Sequence, residues 1–368
     1  MRIGDGGYEL AHDGEPVEAG TLVLQKPDTI VFTPKAGQCL FSGAEPTGYR
    51  WSLGGSKVTW DLGEEGGCAG PQPLTGRRWV RAPRGELAFA SSRGDLFTTD
   101  AAGLDHRSIE VPDLPPSTFG NQPVWSPDGS SLAFAGATDA GYDIYVMNPD
   151  GTGVRQVTDM AGNENDPAWS PDGSKIAFHH DPGGLAINED TGHPVQAFSR
   201  TSVHVVNADG SGLAALVDVK GYVGRPAWSP DGSRIVLQID GDVYVVEPGG
   251  SSLTRIHDGG QETNGLAWTP DGVRIVFADE GPDGTTLFTM RSDGTDARPL
   301  LNRLPSSWLA PVPTFSPDGR WIVVTDDWET GQVDPGDPHP AYLISADGAQ
   351  VYLIADDTYE PSWRPGPR

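Results

Sequence analysis

Polar and apolar positions alternate along this chain in short runs broken by proline, aspartate and glycine. One unit shows the pattern in full. Pro123-Val124-Trp125-Ser126 predicts a first strand, Pro127-Asp128-Gly129 a turn, Ser131–Ala135 a second strand and Asp143–Met147 a third. Asn148-Pro149-Asp150-Gly151 turns the chain again, and Arg155–Thr158 closes the unit. Alternation with a period of two belongs to strands. In the turns, proline presets φ, aspartate bonds nearby amides and glycine takes the left-handed conformation.

The unit recurs. Its turn phrase stands at Trp125–Gly129, Trp169–Gly173, Trp228–Gly232, Trp268–Gly272 and Phe315–Gly319, with a degenerate copy at Trp363–Gly366. The anchor aromatics are 44, 59, 40, 47 and 48 residues apart. Four short strands at such a period predict the blades of a β-propeller. Nine residues after each complete anchor stands an apolar residue: Phe134, Phe178, Leu237, Phe277 and Val324. Third strands answer with Tyr145, His204, Tyr244, Phe288 and Tyr342, which makes His204 a packing residue rather than a ligand. Glu86–Ser91 and Asp95–Thr99 read as second and third strands with no anchor before them, while Glu360–Trp363 is a first strand with nothing after it. Pairing the two predicts an all-β, six-bladed propeller closed by its C-terminal strand, leaving no exposed sheet edge.

These residues resemble the TolB-like propeller family, whose repeat carries a phrase matched throughout by Pro167-Ala168-Trp169-Ser170-Pro171-Asp172-Gly173-Ser174-Lys175-Ile176-Ala177-Phe178. The resemblance covers 84–368 and implies the fold and a binding role, with a protein, peptide or glycan as partner. Related propellers precede prolyl-peptidase-type hydrolase domains, and a variant occurs in oligogalacturonate lyases. The N-terminal α/β domain of TolB itself is not apparent. Residues 1–83 form a separate small β-module instead. Gly48–Leu53, Gly54-Gly55-Ser56 and Lys57–Leu62 spell a hairpin, with further strands at Thr29–Thr33, Cys39–Ser42 and Trp79–Arg81. The hairpin is similar to the last part of calycin-like barrels, which would make the module half a barrel lacking its first strands. Arg77–Arg84 is the junction.

Loop lengths point to a site. Between the second-strand and third-strand residues the separations are 8, 11, 26, 7, 11 and 18, so the third and sixth blades carry insertions that would face each other across a channel mouth. His179, His180, Asp181, His193 and Arg200 are expected in the first insertion; Asp326, Asp327, Trp328, Glu329, Asp334, Asp337 and His339 are expected in the second. One reading is an aromatic-anchored ligand site using Trp308, Trp328 and Tyr222. Asp166, Arg225 and Glu360, each three residues before an anchor, would line the channel opening. The alternative is a metal-dependent enzyme, lyase-like or hydrolase-like, holding a divalent ion through His179, His180, Asp181, Asp326, Asp327 and His339. Asn121, Asn165 and Asn264, four before an anchor, are expected to bond backbone at the strand entry.

Composition narrows the partners. The 368 residues hold 51 acidic against 25 basic side chains, a net charge of −26, which argues against nucleic acid and anionic lipid. No apolar run is long enough to span a bilayer. There is no nucleophile elbow, phosphate-binding loop or dinucleotide fingerprint, so a non-catalytic monomer without a cofactor is expected. Cys39 and Cys68 are a disulfide candidate, which would place the chain in an oxidising, extracytoplasmic compartment. The opening MRIGDGGYEL has no export leader, and the cytoplasm is the alternative.

Overall fold

The computed structural model describes residues 86–90, 95–100, 107–111, 120–139, 141–183, 185–187, 194–196, 201–259, 263–281, 284–301, 312–325, 341–349, 351–355 and 359–365, and before them the strands at 2–4, 7–12, 15–26, 29–34, 49–54, 57–62 and 79–80. The chain divides into two compact units, Met1–Pro83 and Arg84–Arg368.

The first unit is an antiparallel sheet in the order Arg2–Gly4, Gly7–His12, Glu15–Lys26, Thr29–Pro34, Trp79–Val80. A separate hairpin pairs Tyr49–Gly54 with Lys57–Leu62, and Gly54, expected in the turn, stands opposite Lys57 on the ladder. Three strands therefore precede Thr29 that the sequence reading did not include. They are interrupted by Gly and charged residues, which hides their alternation. The expected strand at Cys39–Ser42 lies outside the described residues.

The second unit is built from antiparallel four-strand sets, each identified below by its anchor aromatic. The Trp125 set comprises Gly120–Trp125, Leu132–Thr138, Gly141–Met147 and Arg155–Gln156. The Trp169 set comprises Gly162–Trp169, Lys175–Asp181, Thr201–Asn207 and Ala214–Val219. These two are joined by a short parallel contact, Gly141 opposite Gly162. The Trp228, Trp268 and Phe315 sets follow the same order over Ala227–His257, Thr263–Leu301 and Val312–Ala355. The last strand, Tyr359–Trp363, pairs with Glu86–Ala90, which continues through Leu96–Asp100 to Arg107–Ser108.

The core follows the nine-residue rule. Phe89, Phe134, Phe178, Leu237, Phe277 and Val324 are all buried. Each sits directly across the ladder from its third-strand counterpart: Phe97, Tyr145, His204, Tyr244, Phe288 and Tyr342. Four of these pairs are stacked rings with centroids 5.6–5.7 Å apart, and His204 on Phe178 is one of them. Burying an aromatic ring in this way is worth about 2–3 kcal/mol.

The turn phrase serves a local bonding scheme that involves serine as much as aspartate. In the Trp169 set, Ser170 Oγ donates to Asp172 Oδ1 at 2.6 Å and accepts from Lys175 N at 2.9 Å. Asp172 Oδ1 also accepts from Ser174 N at 3.0 Å. The same bonds recur with Ser126, Ser229, Thr269 and Ser316 in the anchor-plus-one position. Anchor tryptophans then tie neighbouring sets together. The indole N–H of Trp169 donates to Val124 O, that of Trp228 to Ala168 O and that of Trp268 to Ala227 O, at 3.0–3.2 Å.

Candidate functional site

Just upstream of the anchors the first strands stop pairing regularly. Register shifts fall between Asn121 and Val124, Asn165 and Ala168, Asn264 and Ala267, and Tyr359 and Ser362. The three asparagines expected at the strand entry are thus the last regularly paired residues before a bulge. A bulge re-aims the side chain it carries. The residue three before the anchor takes positive φ: Gln122 at 55°, Asp166 at 56° and Gly265 at 59°. For Gln122 and Asp166 that conformation costs roughly 1 kcal/mol each, which neighbouring contacts must offset.

Those contacts cross from set to set. Gln122 Oε1 accepts from Asp166 N at 2.6 Å. Asp166, 4% exposed, forms an ion pair with Arg225 of the Trp228 set, Nε to Oδ1 2.8 Å. His179 faces the same pair, its Nδ1 4.0 Å from Asp166 Oδ2, too far for a hydrogen bond. Its ring meets Tyr222 edge-on at 5.7 Å. His179 is 3% exposed, and both ring nitrogens are buried without a hydrogen-bond partner. Burial pushes its pKa down to about 4; the Asp181 carboxylate opposes this, while His180 and Arg225 add to it. It is a neutral imidazole at physiological pH.

A second polar layer lies on the opposite face of the same strands. His180 Nε2 meets Ala161 O at 3.0 Å, which places the ring proton there and leaves Nδ1 to accept from Ser202 Oγ at 3.3 Å. Ser202 Oγ then accepts from His204 Nε2 at 3.0 Å. Glu164, fully buried, hydrogen-bonds to Asp143 of the Trp125 set. Burial and that shared bond raise its pKa to about 8, and burial raises Asp143 as well.

Residues 105–187 match the family model described as the TolB beta propeller domain. The chain is similar to the TolB beta propeller domain over that stretch. It is 32% identical over 124 residues to the Tol-Pal system protein TolB of Gluconobacter oxydans (strain 621H), a match that takes in 29% of this chain and 22% of that protein's length. Among solved structures it is similar to TolB from Acinetobacter baumannii, with a TM-score of 0.61 and 17% identity over 77% of this chain and 67% of that one. The putative TolB from Agrobacterium tumefaciens gives a TM-score of 0.53 and 20% identity over 74% and 89%.

The residues singled out from sequence have different fates. Asp166, Arg225 and Tyr222 come together around His179. His179, His180 and Asp181 are corrected from loop to strand: all three belong to Lys175–Asp181 and are buried. Consecutive strand residues point to opposite faces, so the two imidazoles cannot converge on one ion. Among the described residues no three His, Cys, Asp or Glu side chains are grouped to hold a metal. Glu360 stands in the bulge of Tyr359–Trp363, its side chain outside the described residues. Trp308, Trp328, Asp326, Asp327, His339, His193, Arg200, Cys39 and Cys68 also lie outside them. The first insertion contains a small hairpin, Leu185–Ile187 with Pro194–Gln196. No helix among the described residues is long and apolar enough to cross a membrane. Gln122 was missed as a site residue, although its position three before Trp125 is the one that flagged Asp166 and Arg225.

Proposed function

We propose that the four-strand sets form a six-bladed ring fastened by Tyr359–Trp363 against Glu86–Ala90, and that the ring binds a protein, peptide or glycan ligand without catalysing its conversion. The binding site is the cluster at the ring's axis formed by the bulge residues Gln122 and Asp166 together with Arg225, His179 and Tyr222. The supporting observation is His179: a buried imidazole with two unpartnered nitrogens, set beside an ion pair. Burying polar atoms unsatisfied costs about 1–3 kcal/mol, and folding alone has no use for them. A ligand that reaches into the cluster would supply the missing donor and acceptor. The TolB likeness supports a binding role and leaves the partner's identity to chemistry.

The test is a thermal-shift screen of peptides and oligosaccharides against the wild type and His179→Leu. A ligand at 100 times its Kd stabilises by about 2.7 kcal/mol, a readable shift. Ligands of the axial site should raise the wild-type melting temperature and lose most of that shift in the variant. Ligands that stabilise both proteins equally would place binding elsewhere.

A further inference from the structure

At three junctions whose anchor is tryptophan, an arginine of the chain reaches across to the neighbouring set. Arg234 lies over the Trp268 ring, 5.0 Å from its centroid, and donates from Nη1 to Ser292 O at 3.2 Å. Arg364 lies over Trp125 at 4.6 Å and donates from Nε and Nη2 to Gly129 O. Between the Trp125 and Trp169 sets, Arg155 donates to Ala208 O. Each time, a guanidinium bonds a turn carbonyl of the neighbouring set, twice while lying flat on an anchor ring.

The junction between the Trp268 and Phe315 sets departs from this. Its anchor has no indole. The arginine in the register of Arg234 is Arg274, and its own set holds it: Nη1 pairs with Asp296 Oδ2 at 2.8 Å, and Nη2 donates to Asp296 O and Thr289 O. A cleft of about 670 Å³ results, against about 400 Å³ for the corresponding cleft between the Trp125 and Trp169 sets. Half-buried Phe315 and Ala346, the counterpart of Ser292 and Ala208, line it. Three carboxylates border it, Asp271, Asp318 and Asp347, and hydrogen bonds from their own turns lower the pKa of Asp271 and Asp347, while at Asp318 such bonds outweigh burial. The two cations in the lining are Arg274, paired as described, and exposed Arg298.

We propose that this cleft receives an arginine side chain from a basic segment of a partner polypeptide. The guest guanidinium lies on Phe315, donates to the Ala346 carbonyl and is bordered by the three carboxylates. It takes the place that Arg234 and Arg364 occupy at their own junctions. The net charge of −26 draws such a segment in. The cleft is separate from the axial cluster and stands whether or not that cluster binds a ligand.

Titration calorimetry of the full chain with capped tri-arginine, tri-lysine and tri-citrulline peptides tests this at about 0.15 M salt, where the charge field is screened beyond about 8 Å. Tri-arginine should saturate one site, tri-lysine should bind more weakly and tri-citrulline not at all. Phe315→Ala removes the ring on which the guest guanidinium lies. Asp296→Asn frees Arg274 to swing onto Phe315. Each should weaken tri-arginine by about tenfold, the loss of one cation–ring contact with its carbonyl bond. Equal affinity for wild type and both variants would reduce the interaction to general charge attraction and overturn the proposal. Absence of saturable binding to the wild type would do the same.

Discussion

Two polar regions lie a few residues apart on the first strands of the Trp125 and Trp169 sets, and they are built on opposite terms. In the turn after the anchor, Ser170, Asp172 and Ser174 satisfy one another and the local backbone within a span of six residues, and the same atoms repeat in set after set. Before the anchor, Gln122, Asp166 and Arg225 bond across sets, while His179 on the adjoining strand has no hydrogen-bond partner at either ring nitrogen. A requirement met locally recurs as a fixed phrase, because each copy faces the same neighbours. One met by a side chain of the adjacent set varies, because each set presents different side chains to its neighbour. Uniform chemistry marks the scaffold, and variable buried chemistry marks the place available to function.

Arg225→Met should have the largest effect on that contrast. It leaves Asp166 buried without its guanidinium, which typically costs about 3–5 kcal/mol. Denaturant unfolding reads the loss directly. A cost near zero would mean that the bulge is as self-sufficient as the turn.

The carboxyl pair at the Trp125–Trp169 junction gives a pH signature. The folded-state pKa of Glu164, about 8, lies above its ordinary value of 4.5, so the folded chain keeps a proton that the unfolded chain releases. Stability from this group is complete below about pH 4.5, falls as pH rises and levels off above pH 8. One proton gives a slope of at most about 1.4 kcal/mol per pH unit. Glu164→Gln should flatten that slope in pH-dependent melts. An unchanged profile in the variant would show that Glu164 is not the group that carries the proton.

Smallest is the expected effect at the turn. Ser170→Ala deletes the bonds to Asp172 and Lys175 N at the cost of about 1 kcal/mol, net of what water restores. The equivalent Ser229→Ala should cost the same, since its bonds have the same lengths. A difference between the two exceeding the measurement error would show that the turns are not interchangeable.

Much of the architecture could be read in advance. The anchor phrase, the nine-residue offset and the bulky third-strand residue led to ladder partners that are paired in the structure. The serine of the phrase was as visible as the aspartate, standing as Ser or Thr in all five complete copies, yet its role emerged only with its bonds. His179 and His180 read as loop because polar residues at a strand's end look like the start of an excursion. Hydrogen-bonded register with Asn165 and Glu164 places them on the strand.

Sequence alone determined the repeat, the order of strands within each set and the buried aromatic pairs, since turn chemistry and side-chain alternation act over a few residues. Only the tertiary structure decided that Asp166 meets Arg225, that the ring nitrogens of His179 have no hydrogen-bond partner and that the cleft at Phe315 is larger than the one at Trp169. Those outcomes depend on which side chain the neighbouring set presents across the junction, and partners some fifty residues away along the chain leave no periodic trace.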